Sequence, residues 1–262
     1  MISKSNLCTI AKAGMASKGV VYFITGALTC LAAFNLGGKK AGKSDALSFI
    51  DNQAFGNVLL LILAVGLFCY VFWRGIQAIQ DPENIGSDKK GKVKRAAFFV
   101  SAVIYGALAV SAVMRVVSNS SGGSGSKPGS SLLTGDVGVV LFFIIGLSII
   151  GAAVNQFHKV YTKKFLEKFN YKSITDSSKR KVIKNTGMAG LSSRGILFLI
   201  LGYFFIRAAI ESNTNNIKNT KDAFSFLENS SYGSILLGVV AAGLVCYSIY
   251  MFMMSRYRKF DF

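Results

Sequence analysis

The sequence predicts an all-α membrane protein: six transmembrane helices, built as three tandem helical-hairpin repeats around a pseudo-threefold axis. Three observations predict it. From Val58 to Trp73 the chain carries no charge, and a helix that long reaches most of the way across a hydrocarbon core about 30 Å thick. Hydrophobic residues make up 52% of the 262 and charged residues only 16%, too little charge for a soluble domain of this size. Finally, glycines recur at matched depth. Gly14, Lys18, Gly19 and Gly26 fall on Gly190, Arg194, Gly195 and Gly202, and Gly66-Leu67 and Cys69-Tyr70 fall on Gly243-Leu244 and Cys246-Tyr247.

In chain order, repeat 1 covers residues 1–90 and supplies spans at 19–36 and 55–78. The basic stretch Met1–Lys18 lacks a small-residue cleavage site, so Gly19–Leu36 reads as a retained span and not a signal peptide. Phe55–Ala78 ends on Trp73 and Arg74, the residue types that anchor a helix at the membrane interface. Repeat 2, residues 91–170, supplies spans at 96–117 and 137–157. Repeat 3, residues 171–262, supplies spans at 195–211 and 232–254. Pro82 and Pro128, the two prolines, both fall in loops. Short amphipathic helices are expected on the outer face at Lys43–Ile50 and its copy Lys221–Leu227, as structural lids. Ser118–Ser131 is a Gly/Ser linker. His158–Gly190 is long and basic, and Val160–Asn170 within it reads either as a helix lying on the inner leaflet or as a solvated connector.

The charge is lopsided, with 30 Lys+Arg against 12 Asp+Glu. Most of the basic residues lie in the N-terminal tail, the loops 79–95 and 158–194, and the C-terminal tail. By the positive-inside rule both termini are cytoplasmic, and anionic lipid headgroups are the expected partners of these loops. No basic run is interleaved with an aromatic stacking platform, so nucleic acid is not an expected partner. Cys8, Cys30, Cys69 and Cys246 show no paired spacing, and His158 is the one histidine. Neither a metal site nor a disulfide framework is expected. No nucleophile–base set, membrane-depth carboxylate pair or phosphate-cradling loop is legible, so the chain is read as neither an enzyme nor a cofactor protein.

Glycine lets neighbouring backbones approach closely in a bilayer, where no hydrophobic force separates helices from lipid. Gly26, Gly106 and Gly202 in the odd spans, and Gly66, Gly146 and Gly243 in the even spans, are therefore expected at helix–helix contacts. The same alignment brings Asn35, Arg115 and Glu211 to one position, with Arg207 one turn before Glu211. They are expected to form a polar collar at the outer mouth, Arg115 and Arg207 sharing Glu211.

The stretches Gly14-Met-Ala-Ser-Lys-Gly-Val-Val-Tyr22, Gly190-Leu-Ser-Ser-Arg-Gly-Ile-Leu-Phe198 and Gly66-Leu-Phe-Cys-Tyr-Val-Phe-Trp-Arg74 resemble the repeat of a bacterial membrane family known as domain of unknown function 1206. The second unit departs from that pattern, with Phe98-Phe99 in place of the basic-Gly pair. The resemblance implies a six-span protein of the bacterial plasma (inner) membrane and implies no activity. On residues alone, the leading reading is a non-catalytic structural or accessory subunit with a protein partner in a membrane complex. The alternative is a passive pore for a small solute or ion along the axis of the three repeats.

Overall fold

The computed structural model describes residues 4–38, 40–82, 86, 88–118, 136–170, 174–210, 224–225, 228 and 233–260. Among them are seven α-helices: α1 Lys4–Ala33, α2 Lys43–Asp51, α3 Gly56–Ile79, α4 Lys89–Ser118, α5 Asp136–Tyr161, α6 Ser177–Ile210 and α7 Gly233–Tyr257. All but α2 are long and apolar enough to cross a bilayer. The chain is an all-helical, multi-pass membrane protein.

The even spans begin close to where hydropathy places them. The odd ones begin well before: α1 at Lys4 and not Gly19, α4 at Lys89 and not Ala96, α6 at Ser177 and not Gly195. Hydropathy reports where lipid is tolerated, whereas a helix continues until its backbone bonds are interrupted, and no proline interrupts these basic segments. Asp176 starts α6, its Oδ1 accepting the Ser178 N–H at 2.8 Å. That bond, with Lys179 beside it, holds the Asp176 carboxyl below the ordinary aspartate range.

The N-terminal end of α1 and the C-terminal end of α7 lie together, with Ser255 Oγ donating to the Lys12 carbonyl at 2.8 Å. At this tail end, the segment after α5 turns inward. Phe165 and Phe169 are buried against Tyr250. Backbone bonds Asn170 N–H to Tyr257 O (3.0 Å) and Lys259 N–H to Lys168 O (2.9 Å) tie it to the C-terminal segment. The stretch 160–170 is thus a clasp containing a short 3-10 turn, Leu166–Lys168, and neither a leaflet helix nor a solvated connector.

Helices pack in the order α4, α3, α1, α7, α6, α5. No threefold axis follows from these contacts. The first and third hairpins, α1 with α3 and α6 with α7, close on themselves, whereas the described residues of α4 and α5 make no comparable contact. The glycines explain the closed hairpins. A Cβ on Gly14 would meet the backbone of Tyr70, and one on Gly190 the backbone of Tyr247. From the other helix of each pair, a Cβ on Gly66 would strike Ser17 and one on Gly243 would strike Ser193. In the second unit, the position matching Gly14 and Gly190 is Lys94, a side chain too long for a backbone-to-backbone approach.

Contacts between units also use glycine. Gly26 faces the Ala241 carbonyl (2.9 Å from its added Cβ) and Val245 on α7, while Gly146 and Gly202 face each other's carbonyls at 3.1 Å. Gly106 is looser, its nearest neighbour being Val71 at 3.8 Å.

Helix α2 differs from its expected place on the outer face. The chain folds back along α1, so that the Ala41 N–H donates to Thr29 Oγ1 (3.1 Å) and Thr25 Oγ1 donates to the Gly42 carbonyl (3.5 Å). Thr25 lies about 12 Å inside the end of α1 at 1.5 Å per residue. The segment is therefore re-entrant, and α2 climbs outward from inside the bundle with Ala46, Leu47 and Ile50 buried. The Asp45 carboxylate accepts the Gly42 N–H at 2.8 Å, capping its start. Of the expected copy at 221–227, only Phe224 and Ser225 are described, and Phe224 is fully buried.

Gly66→Leu and Gly243→Leu are each expected to cost about 1–3 kcal/mol by overpacking, read as a lowered midpoint of thermal unfolding in detergent. Gly75→Ala, whose Cβ would meet nothing within 4 Å, should leave that midpoint unchanged or raise it slightly.

Candidate functional site

The glycine contacts of the two closed hairpins bring a cation from α1 and one from α6 onto a tyrosine of the partner helix. Lys18 Nζ donates to Tyr70 Oη at 2.9 Å, and Arg194 donates from a terminal guanidinium nitrogen to Tyr247 Oη at 2.7 Å. The two pairs occupy matching repeat positions. Each tyrosine stands on the backbone that Gly14 or Gly190 touches, so the close approach fixes the distance between donor and acceptor.

These two pairs meet around a third ring, Tyr22. Lys18 Nζ lies 5.9 Å from its centre, Lys43 Nζ 5.7 Å and the Arg194 guanidinium 5.5 Å. Lys18 and Lys43 each lie 4.9 Å from the centre of the Tyr105 ring, so the two ammonium groups are at most twice that apart. Arg74 completes the group, its Nε donating to Tyr70 Oη (2.8 Å) and its guanidinium stacked 4.7 Å from Phe98. The re-entrant segment delivers Lys43, α1 delivers Lys18, α3 delivers Arg74 and α6 delivers Arg194.

No carboxylate among the described residues lies within ion-pair distance of any of the four. Lys18 is only 4% exposed. Like charges at this spacing repel by about 2 kcal/mol at an effective dielectric of about 20. Aromatic faces offset part of that, and what remains calls for an anion. Two donors in the cluster have no hydrogen-bond partner although buried: Arg194 Nε and the Tyr105 hydroxyl, which has Tyr22 beside it but outside hydrogen-bond geometry. Between the cations is a cavity of about 50 Å³ lined by Tyr22, Thr25, Lys43, Arg194, Leu197, Phe198, Leu201 and Leu244. It has room for a few heavy atoms and no more.

Hydropathy assigns Lys18 and Arg194 to loops, because each precedes the apolar run of its helix. The signal that locates them is the repeat itself, in which cation and tyrosine recur together. Of the expected interfacial anchors, Trp73 is 1% exposed, packed on Phe260 and under the Arg258 guanidinium, and Arg74 points into the cluster. Trp73 is inside the protein because the C-terminal segment, through Arg258 and Phe260, covers that face of α3. Arg115 of the expected collar is buried and pairs with Asp51 of the first unit at 3.8 Å. Asn35 is exposed, in the left-handed region (φ 55°), and Arg207 is exposed. Glu211 lies outside the described residues, so the shared collar does.

A model of the family described as Domain of Unknown Function (DUF1206) matches the chain twice, over residues 13–81 and 189–258. Those segments hold the two closed hairpins and both cation–tyrosine pairs. A protein of Bacillus subtilis (strain 168) described as "Uncharacterized protein YxxB" is 30% identical over 244 residues, 92% of this chain and 87% of that one. No solved structure matches.

Tyr70→Phe and Tyr247→Phe each strip a buried cation of its acceptor and should cost about 1–3 kcal/mol in detergent unfolding. Tyr105→Phe removes a hydroxyl that makes no hydrogen bond and should be neutral or stabilising in the same measurement.

Proposed function

The chain belongs to the DUF1206 family, whose description names no activity, and from its geometry we propose that it binds a small anion in a cavity between α1, α2, α6 and α7. A non-catalytic role in the membrane fits both the six spans and the family. What carries the finer reading is the convergence of Lys18, Lys43 and Arg194 on one ring, beside a small cavity, with no carboxylate among the described residues within ion-pair distance. Buried charge without a partner is expensive and marks solute pathways in membrane proteins. The cluster thus favours a solute-binding or pore role over a bare scaffold. The lopsided charge of the loops supports a protein of the bacterial plasma (inner) membrane with both termini cytoplasmic.

The accessory-subunit reading keeps support of its own. The interior is filled by Trp73, Tyr70, Leu60, Leu67, Leu237 and Leu244, all fully or almost fully buried, so passage needs a rearrangement from this closed form. The re-entrant segment is the part placed to move, since it covers the cavity through Lys43 alone.

Proteoliposomes loaded with chloride, nitrate or phosphate test the proposal, with flux read alongside the anion-dependent shift of detergent unfolding. Anions of cavity size are expected to stabilise the protein, and Lys43→Gln with Arg194→Gln to weaken that stabilisation roughly tenfold or more, one charge-assisted hydrogen bond being worth about 1.5–3 kcal/mol. A scaffold would show neither flux nor an anion-dependent shift.

A further inference from the structure

The wall of the small cavity beside Tyr22 is charged in one part and apolar in the rest. Leu197, Phe198, Leu201 and Leu244 line it with side chains that carry no hydrogen-bond donor. Thr25 lines it too, but its hydroxyl hydrogen goes to the Gly42 carbonyl. Beyond the Tyr22 hydroxyl, the donors left to an occupant are charged. Arg194 spends one terminal nitrogen on Tyr247, and the rings of Phe198 and Tyr247 lie 5.0 and 4.4 Å from its guanidinium. Its Nε is left as an unpartnered donor at the edge. Lys43 Nζ has the Tyr22 and Tyr105 rings beside it, at 5.7 and 4.9 Å, and no carboxylate within ion-pair distance among the described residues.

We infer that the occupant is a weakly hydrated monovalent anion, of the class of nitrate, bromide and chloride, and that the cavity rejects phosphate and sulfate. This rests on the reading of the cavity as an anion site and adds its selectivity. Two effects oppose each other. The cations attract a dianion about twice as strongly as a monoanion. The cost of taking an ion out of water rises with the square of its charge, about fourfold for the dianion, and only a wall rich in donors replaces that water. Half of the lining residues here are Leu or Phe, so dehydration outweighs attraction. Shape acts in the same direction. Phosphate and sulfate hold their oxygens in a tetrahedron, and any oxygen turned toward Leu197, Leu201 or Leu244 is buried without a hydrogen bond. A halide has no such oxygen, and planar nitrate can keep its oxygens on the side of Lys43 and Arg194. The volume, about 50 Å³, suits the smaller ions as well.

The test follows thermal unfolding of the intact protein in detergent, starting in sodium gluconate, whose anion is larger than the cavity. Nitrate, bromide, chloride, sulfate and phosphate are each titrated against gluconate at fixed ionic strength and pH. Nitrate and bromide are expected to raise the unfolding midpoint saturably. Sulfate and phosphate should need a concentration roughly tenfold or more higher for the same response, the effect of one buried oxygen without a partner. That order reverses the general salt effect, in which sulfate and phosphate stabilise folded proteins by exclusion from their surface, so solvent action does not produce it. Lys43→Gln should remove the saturable nitrate response. Leu201→Asn, which puts a donor on the apolar wall, should narrow the gap between nitrate and sulfate, whereas Leu201→Met, a volume-conserving change, should preserve it. The unsubstituted protein decides the question even where a variant does not fold. Sulfate or phosphate acting at the concentration of nitrate would overturn the inference and leave the anion site standing. No saturable response to any of these anions would overturn both.

Discussion

The structure turns on a contact between bare backbones. Where Gly14 meets Tyr70 and Gly190 meets Tyr247, two helices come closer than any side chain would allow. In a bilayer such proximity is what association has to work with, because lipid tails are as apolar as leucine and nothing is gained by hiding one from the other. The same contact sets the position of a tyrosine hydroxyl relative to the cation one turn along the facing helix. Packing and polar chemistry are thus one feature. A larger residue at either glycine would displace the hairpin and the hydrogen bond together.

A cation brought so far into a bundle has to be accounted for. Each of the closed hairpins satisfies one donor of its own Lys18 or Arg194 with its own tyrosine, which is local and repeats. What does not repeat is the convergence of these cations with Lys43 and Arg74. Aromatic faces distribute the charge over Tyr22, Tyr70, Tyr105 and Tyr247 without neutralising it. Where acidic residues do meet basic ones in the described structure, as Asp51 with Arg115, Glu228 with Lys40 or Asp176 with Lys179, none of the cations belongs to the cluster. Sorting the acids away from the cluster leaves the positive potential of the interior intact, which is a requirement for holding an anion there.

The helical class, the six spans and the hairpin repeat were legible because each rests on a periodic or compositional signal that lipid imposes directly. The odd-helix starts were not, since the segments 4–18 and 177–194 are basic and helical at once, and hydropathy registers only the first property. Trp73 misled for a related reason. A tryptophan next to an arginine at the end of an apolar run is the mark of an interface, and only the return of Phe260 and Arg258 from the far end of the chain converts that position into core. Long-range coverage of this kind leaves no local trace. The re-entrant segment was half visible: its helix could be read from Lys43 to Ile50, but its depth depends on two threonines of α1 accepting and donating across a turn. No sequence pattern marks those threonines, because their partners are backbone atoms.

The drift of the second unit shows why the cation and the tyrosine have to be considered as a pair. At the positions of Lys18 and Tyr70 it carries Phe98 and Ile150, and at that of Gly14 it carries Lys94. Once the backbone approach is lost, a cation at the Lys18 position would have no acceptor, and a tyrosine at the Tyr70 position would have no donor to receive. Both are replaced by apolar groups, the arrangement that avoids a buried unsatisfied partner. Phe98 then serves the neighbouring unit, stacking on Arg74, and Ile150 packs against Gly202. One glycine-to-lysine difference thus accounts for the open hairpin and for the loss of a third cation–tyrosine pair.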